Sequence, residues 1–362
     1  MYGVDEGFPG QFEAQFNAGG NCAQLDPLVI VTAMASVTKS VCFGITGSTS
    51  YINVSSTASS YKHRLTSQPF PLARTFSTLD HLTKGRVAWN VVTSYSTSSA
   101  KANGMEDITP HDKRYEKAAE YLELCYSLWE GSWEEGAVQF NKAKPQVYDP
   151  EKIHKINFNG KYHKTSAIAP NHPSPQRTPV LFQAGASPAG KAFAAANAEA
   201  IFVGGGKPSD TAPYVKEVRA AAAANGRDPQ HVKIFPQICP ILGRTVEEAQ
   251  EKYERYKAAA DWEGGLAKLS QYVNFDLRSF PLDEPFDIKL VGKSENAIHT
   301  LINTLKRYEG MGVTPRMLGQ QMAFCGFGPM PVGTPEMVAD VMEDWVNNGD
   351  VDGFNVACKC SR

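Results

Sequence analysis

The chain has 362 residues, of which 42% are hydrophobic and 20% are charged, and its formal net charge is −2. A chain of this size and composition buries a large core, and its near-neutral charge excludes the basic field that nucleic acids or anionic lipids require. No apolar run approaches the roughly 20 residues that span a bilayer, and the first residues lack a secretory signal pattern. We therefore expect a cytoplasmic protein with no membrane partner and no nucleic-acid partner.

Cysteine and histidine residues give no sign of a cross-linked or metal-binding fold. Seven cysteines and eight histidines are scattered along the sequence, without the spacing of a disulfide framework or a zinc site. Unpaired thiols are typical of a reducing compartment. The sequence therefore predicts no metal site.

Short apolar segments recur along the chain and alternate with longer segments of helical character. A short apolar run bounded by turn residues is typical of a buried strand. The segments that fit this description are residues 40–48, 86–94, 179–187, 199–206, 232–242 and 352–358. Their alternation with helical segments predicts repeated βα units.

Three of the intervening segments carry signals that begin or end helices. Residues 111–131 place apolar side chains three and four positions apart and finish at a glycine. Residues 212–226 end in Asn-Gly, a pair that terminates helices. Residues 333–349 open with Thr334 in the position of an N-cap. Each predicted helix separates two predicted strands.

Several predicted strands end in small or hydroxylated residues. These residues are Thr46, Ser48, Thr93, Ser94, Gly185, Ser187 and Gly204. Apolar strands with helices between them form either a doubly wound parallel sheet or a closed barrel. In a (β/α)8 barrel all carboxyl ends of the strands meet at one mouth, where active sites are built. The pattern indicates an α/β fold and favours the barrel, although capping of the following segment explains Thr93 and Ser94 equally well.

Three long motifs resemble one known family. They are LARTFSTLDHLTKGRVAWNVVTSY at residues 72–95, PHDKRYEKAAEYLELCYSLWEGSW at 110–133 and SPQRTPVLFQAGASPAG at 174–190. These motifs resemble the luciferase-like FMN-dependent monooxygenases, in the branch of nitrilotriacetate monooxygenase, pristinamycin synthase and dibenzothiophene-sulfone monooxygenase. The resemblance covers most of the chain, and it implies a (β/α)8 TIM barrel of the bacterial luciferase type.

The resemblance also implies a function. Members of the family are the oxygenase components of two-component systems. They use dioxygen and reduced FMN, which a separate NAD(P)H-dependent flavin reductase supplies, to oxygenate a small organic substrate. In such enzymes the cofactor carries the difficult chemistry, while the protein binds and orients it and excludes water. The resemblance therefore predicts an FMN-dependent monooxygenase that forms a homo-oligomer.

The family pattern implies a phosphate site at the end of the third predicted strand. The residues that match the part of the family that holds the FMN phosphate are Gly185, Ala186 and Ser187. Small residues allow close backbone approach, and oriented N–H groups with a hydroxyl suit a phosphate. Tyr115 of the HDKRY motif matches a tyrosine at the same end of the cofactor. A tight turn without a ligand is the alternative for Ser187, and local helix capping is the alternative for His111 and Asp112.

A second group of residues matches positions close to the flavin ring. Asn90, Thr93 and Tyr95 match polar positions beside the ring, and Asn90 and Tyr95 are the predicted catalytic residues. Thr46 and Ser48 match small hydroxylated residues beneath the ring, although packing explains them as well. A structural amide remains the alternative for Asn90, and an amphipathic aromatic on the rim of the barrel remains the alternative for Tyr95.

The sequence departs from the family pattern in three places. It begins after the family's second strand, and it ends directly after the last strand without the family's C-terminal helix. Residues 52–68 form an atypical, serine-rich inserted loop where the family has about two residues. We therefore expect a single, partial barrel domain over residues 1–362. A non-catalytic flavin-binding barrel, or a truncated and inactive one, is the alternative function.

Overall fold

The βα alternation is present in the computed structural model, which describes residues 8–20, 25–51, 68–141, 143, 146–204, 206–291 and 297–357. The described residues form two units. The N-terminal unit contains residues 25–94 and 99–183, and the C-terminal unit contains residues 8–20, 95–98 and 184–357, less the gaps just given. All six predicted strands and all three predicted helices are found.

The elements are numbered in chain order. The helices are α1 Gln11–Asn17, α2 Pro27–Val37, α3 Pro69–Thr83, α4 Thr97–Ala102, α5 His111–Gly131, α6 Pro188–Asn197, α7 Pro208–Ala224, α8 Val246–Ala258, α9 Trp262–Val273, α10 His299–Lys306, α11 Pro315–Phe324 and α12 Pro335–Gly349. The strands are β1 Phe43–Ser48, β2 Val87–Val92, β3 Val138–Asn141, β4 Gln146–Tyr148, β5 Ile156–Asn159, β6 Lys164–Ala167, β7 Val180–Gln183, β8 Ala200–Val203, β9 Lys233–Ile238, β10 Ile241–Leu242, β11 Val332–Gly333 and β12 Asn355–Val356.

The N-terminal unit is built on three parallel strands in the order β1-β2-β7. Trp89 in the central strand is paired with Ile45 on one side and Leu181 on the other. Its indole is fully buried and donates a hydrogen bond to the Gly47 carbonyl at 3.0 Å. Because a buried N–H without an acceptor costs free energy, this bond allows a tryptophan to fill the core.

Helices α3 and α5 cover the strands of the N-terminal unit. Trp129 of α5 donates its indole N–H to the Ala73 carbonyl of α3 at 3.0 Å, and its ring lies 6.4 Å from that of Trp89. Two antiparallel hairpins, β3-β4 and β5-β6, also belong to the unit. The turn of the second hairpin is held on α5 by the Glu120 carboxylate, which accepts three backbone N–H bonds of 2.6–2.8 Å from residues 161–163.

The C-terminal unit contains the parallel strands β8, β9 and β12, with β9 in the centre. Helices α6, α7 and α12 pack against them through a cluster that includes Ala194, Ile201, Val215, Ile234 and Trp345. Helix α7 begins four residues before the predicted start at residue 212. It ends as predicted, because Asn225 caps it and Gly226 takes a positive φ of 75°.

A separate helical layer of the C-terminal unit is formed by α9, α10 and α11. Its core includes Leu266, Leu269, Leu305 and Leu318. Helices α9 and α11 cross so closely that a Cβ atom on Gly319 would lie 2.4 Å from the Trp262 carbonyl oxygen. Glycine at this crossing is therefore a steric requirement, since real Cβ atoms do not approach a carbonyl oxygen so closely.

Parallel strands alternating with helices confirm the predicted α/β fold, while the closed eight-stranded barrel stays a prediction. The predicted inserted loop, residues 52–68, lies outside the described residues except for Gln68. Gln68 directly precedes α3, and its carbonyl accepts a 3.0 Å hydrogen bond from the Tyr121 hydroxyl. Among the residues described, every helix is too short or too polar to cross a bilayer.

Candidate functional site

The hydroxyl residues that follow β1 and β2 bond to one another. The hydroxyls of Ser48 and Ser94 lie 2.7 Å apart, and the Ser50 hydroxyl donates to the Thr93 carbonyl at 3.0 Å. Ser94 has a φ of 62°, which costs free energy in a residue with a Cβ atom. These side chains therefore fix the sharp change of direction at the ends of the two strands. Ser48 and Thr93 are both buried, and the hydroxyl of Ser48 is occupied within the cluster.

One predicted residue at these strand ends has an unused polar atom. Asn90 and Thr46 are register partners, and the Asn90 Nδ2 donates to the Thr46 Oγ1 at 3.0 Å. The Asn90 Oδ1 is buried and has no hydrogen-bond partner among the described residues. A buried carbonyl oxygen without a donor costs roughly 1–3 kcal/mol. Asn90 is therefore suited to accept a hydrogen bond from a bound molecule.

The HDKRY motif begins helix α5. His111 Nδ1 and the Asp112 carboxylate lie 2.7 Å apart, but the N-cap residue of α5 is Pro110 and no side chain caps the helix, so the alternative of helix capping is not what the structure shows. The Tyr115 ring lies 5.2 Å from the His111 ring. The structure therefore places Tyr115 in the first turns of α5, and its role at the phosphate stays a prediction.

Arg114 of the same motif is buried near Tyr51, which follows β1. The Arg114 guanidinium donates to the Thr109 carbonyl at 2.5 Å, but its Nε has no partner among the described residues. Burial lowers the pKa of Arg114 and raises the pKa of Tyr51 to about 12. Burial of a charge or hydroxyl without full hydrogen bonding disfavours the charged form of the group.

The predicted phosphate site lies at the start of α6 in the C-terminal unit. Ser187 is the N-cap of this helix, and its Oγ accepts a hydrogen bond from the Gly190 N–H at 3.1 Å. Within the described ranges, the N–H groups of Ala186 and Ala189 have no acceptor. Unpaired amides at a helix N-terminus attract anions, because the helix dipole adds partial positive charge there. Ser187 therefore caps α6, and its role at a phosphate stays a prediction.

Gly185 and Ala186 line a cavity of about 680 Å³ within the C-terminal unit. This volume lies in the range of small-molecule and cofactor sites. Its walls are mixed: they include aromatic and aliphatic side chains, small residues of the strand ends, and the charged residues Asp210, Lys268 and Arg307. The Asp210 carboxylate and the Arg307 guanidinium lie 3.6 Å apart.

Tyr95, a predicted catalytic residue, belongs to the C-terminal unit. Its ring lies 6.1 Å from the Tyr272 ring and nearly perpendicular to it, at 80°. Tyr272 lines the cavity, and Lys268 lies one turn earlier on the same face of α9. Edge-to-face contact of this kind holds both rings in place. Tyr95 is therefore fixed against a residue of the cavity wall.

The sequence motifs do not include the cavity residues on α7 and α9 or the one that follows α10. Tyr214, Lys268, Tyr272 and Arg307 lie outside the three motifs. Only the spacing of Lys268 and Tyr272, four residues apart on an amphipathic helix, gave a signal. That spacing is equally typical of a helix surface, because it places a charged and an aromatic side chain together on any exposed face.

The residues around the cavity of the C-terminal unit suit a flavin that carries one phosphate group. The Ala186 N–H at the turn before α6 suits one phosphate group, and the aromatic walls of the cavity suit a planar ring.

Comparison with known proteins identifies monooxygenases as the proteins that this chain resembles. A family model described as luciferase-like monooxygenase matches residues 11–352. The dimethyl-sulfide monooxygenase of Hyphomicrobium sulfonivorans is 40% identical over 358 residues, which are 99% of this chain and 71% of that protein. The long-chain alkane monooxygenase of Geobacillus thermodenitrificans (strain NG80-2) is 40% identical over 332 residues, 91% of this chain and 67% of that protein. The crystal structure of DmoA from Hyphomicrobium sulfonivorans matches with a TM-score of 0.86 at 39% identity, covering 99% of this chain and 72% of that chain.

Proposed function

Because the chain belongs to the luciferase-like monooxygenase family, we propose that it is the oxygenase component of a two-component system that uses reduced FMN and dioxygen. The chain is a flavin-dependent oxidoreductase of the monooxygenase type, like its relatives at 40% identity. The observation that carries the choice of FMN is the turn before α6, where Ala186 lines the cavity and its N–H has no acceptor among the described residues. One helix N-terminus offers one phosphate site, which suits FMN better than a dinucleotide.

Most of the predicted residues have a proposed task. When bound, the reduced flavin supplies the two electrons that let one oxygen atom of dioxygen enter the substrate while the other leaves as water. The α6 amides and the Ser187 hydroxyl hold the phosphate, and Asn90 accepts an N–H of the ring. Tyr95, fixed by Tyr272, covers the reacting atoms and excludes water. Thr46, Thr93 and Tyr115 are proposed to contact the cofactor.

The substrate is proposed to be a small organic molecule with an oxidisable carbon or sulfur centre. The relatives named above are a dimethyl-sulfide monooxygenase and a long-chain alkane monooxygenase. The aliphatic and aromatic part of the cavity wall, which includes Ile298, Leu301 and Phe327, suits an apolar substrate. Reduced FMN is proposed to come from an NAD(P)H-dependent flavin reductase, and the protein is therefore proposed to act in the cytoplasm, where such reductants are made.

Fluorescence titration with oxidised FMN and FAD tests the cofactor proposal. We expect the full chain to bind FMN more tightly than FAD, because the turn before α6 offers one phosphate site and leaves the adenine nucleotide of FAD without a site of its own. Equal affinities for FMN and FAD contradict the choice of FMN. Binding of FMN without any oxygenation of a sulfide and alkane panel, in the presence of reductase and NADH, supports the alternative of a non-catalytic flavin-binding protein.

The chain is also proposed to self-associate through α2. This helix has no charged residue, and apolar side chains on it and beside it are between 47% and 83% exposed: Leu25, Val29, Met34, Val37 and Val41. At about 100 Å² for each side chain, they present roughly 500 Å² of apolar surface. The apolar part of a typical homodimer interface has about the same area, because such an interface buries about 800 Å² per partner, of which about 65% is apolar.

Sedimentation analysis at micromolar concentration tests this surface. We expect a dimer for the wild type and a monomer for the double variant Val29→Glu, Val37→Glu, with an unchanged melting temperature. Val246→Glu is the matched control, because Val246 is 48% exposed but lies on α8. A monomeric wild type contradicts the proposal.

A further inference from the structure

Tyr214 makes a hydrogen bond that the three sequence motifs did not indicate. Its hydroxyl donates to the Gly185 carbonyl at 3.2 Å, and both residues line the cavity of the C-terminal unit. Gly185 belongs to the turn that leads into α6, where Ala186 and Ser187 follow. A tyrosine on one helix thus holds the backbone at the start of another.

This contact fixes the orientation of one peptide group. In a trans peptide the C=O of one residue and the N–H of the next point in opposite directions. The bond from Tyr214 to the Gly185 carbonyl therefore turns the Ala186 N–H away from the Tyr214 hydroxyl. That N–H has no acceptor among the described residues, so it is available to a ligand in the cavity that Ala186 lines.

Gly185 allows the peptide that follows it to change orientation. Glycine has no Cβ atom, so its backbone adopts many conformations that other residues avoid. A flip of the peptide between residues 185 and 186 would exchange the positions of the N–H and the carbonyl oxygen. The anion site would then present a partial negative charge in place of a donor. The Tyr214 hydrogen bond stabilises the orientation that favours an anion.

Tyr214 is itself held in place by its surroundings. It lies on α7 directly before Val215, which is buried in the core of the unit. The Lys191 ammonium lies 5.5 Å from the centre of the Tyr214 ring and pairs with Glu217 at 2.5 Å. Because Lys191 belongs to α6 and Glu217 to α7, the same contacts fasten the two helices together around the tyrosine.

We propose that Tyr214 is a positioning residue of the phosphate site, which acts by orienting the Gly185–Ala186 peptide. The proposal rests on the proposed function, because it requires that this turn bind the phosphate group of FMN. Tyr214 does not take part in the oxygenation step. Its contribution is confined to ligands that carry a phosphate.

Titration of the Tyr214→Phe variant with FMN and with riboflavin tests this role. Phenylalanine keeps the ring beside Lys191 and removes only the hydroxyl. We expect the Kd for FMN to rise about tenfold, as for the loss of one hydrogen bond, and the Kd for riboflavin, which has no phosphate, to stay the same. The 31P resonance of bound FMN is expected to shift, which a purely structural change elsewhere does not cause. Tyr253→Phe is the matched control, because Tyr253 is half-buried on α8 and does not line the cavity.

The outcomes separate this inference from the proposed function. Equal weakening of FMN and riboflavin, or no change in either, overturns the role of Tyr214 while leaving FMN as the cofactor. A wild type that binds riboflavin as tightly as FMN has no phosphate site at this turn. That result overturns both the inference and the proposed use of Gly185, Ala186 and Ser187.

Discussion

Replacement of Ser187 by alanine removes the cap of α6, and in the proposed complex it also removes a hydrogen bond to the FMN phosphate. Stability and FMN affinity report these two losses separately. The Ser187 Oγ accepts the Gly190 N–H at 3.1 Å and so caps α6. Loss of an N-cap costs about 1 kcal/mol of stability. In the proposed complex the same hydroxyl also donates to the FMN phosphate, and loss of a hydrogen bond to a charged group costs about 1.5–3 kcal/mol, or roughly 10- to 100-fold in Kd.

Urea denaturation and flavin titration measure the two effects independently. We expect Ser187→Ala to lower the free energy of unfolding slightly and to weaken FMN strongly, while riboflavin binding stays the same. Thr245→Ala is the matched control, because Thr245 caps α8 in the same way, accepting the Glu248 N–H at 3.2 Å, and does not line the cavity. If both variants lose similar stability and both keep the wild-type Kd for FMN, the Ser187 hydroxyl is a helix cap and nothing more.

Three further predictions concern packing, acid titration and the flavin ring. Gly319→Ala is expected to lower the free energy of unfolding by about 1–3 kcal/mol or more, because its Cβ would lie 2.4 Å from the Trp262 carbonyl oxygen. Gly44→Ala, with open space around the same atom, is expected to be neutral in the same urea denaturation, and equal effects would contradict the close helix crossing. Hydrogen bonds from Lys252 and from the Arg244 backbone lower the pKa of Glu248 to about 2. The stability it contributes is therefore present above the ordinary glutamate pKa and is lost as the pH falls towards 2, so an NMR titration that gives an ordinary pKa would refute the interaction. Asn90→Ala is expected to weaken FMN and riboflavin alike, because its Oδ1 is proposed to face the ring; a loss confined to FMN would place Asn90 at the phosphate instead.

Local signals in the sequence predicted the elements that depend on neighbouring residues. Thr334 caps α12 as predicted, with its Oγ1 accepting the Met337 N–H at 3.5 Å. The Asn225–Gly226 pair ends α7, because glycine readily takes the positive φ that the cap requires. Each of these features is encoded within four or five consecutive residues, so a single sequence is enough to reveal it.

Features that join distant segments were not predictable in this way. The Ser48 hydroxyl bonds to Ser94, which lies 46 residues later, so the sequence showed the hydroxyls but not their pairing. Likewise, Gly265 and Gly319 are required at the crossing of α9 and α11, which joins segments more than 50 residues apart. The wall residues Tyr272 and Arg307 also reach the cavity through long-range packing, and the spacing of Lys268 and Tyr272 on α9 does not distinguish a cavity wall from a helix surface.

Incubation of the chain with a flavin reductase, NADH, FMN and 18O2 tests the central claim most directly. The substrate panel contains dimethyl sulfide, longer dialkyl sulfides and n-alkanes, and mass spectrometry follows the products. A monooxygenase is expected to give a product that carries one 18O atom, and only when reduced FMN is present. If NADH is consumed but all of the 18O2 appears as hydrogen peroxide, or if a product forms without the label, the chain is not the oxygenase proposed here.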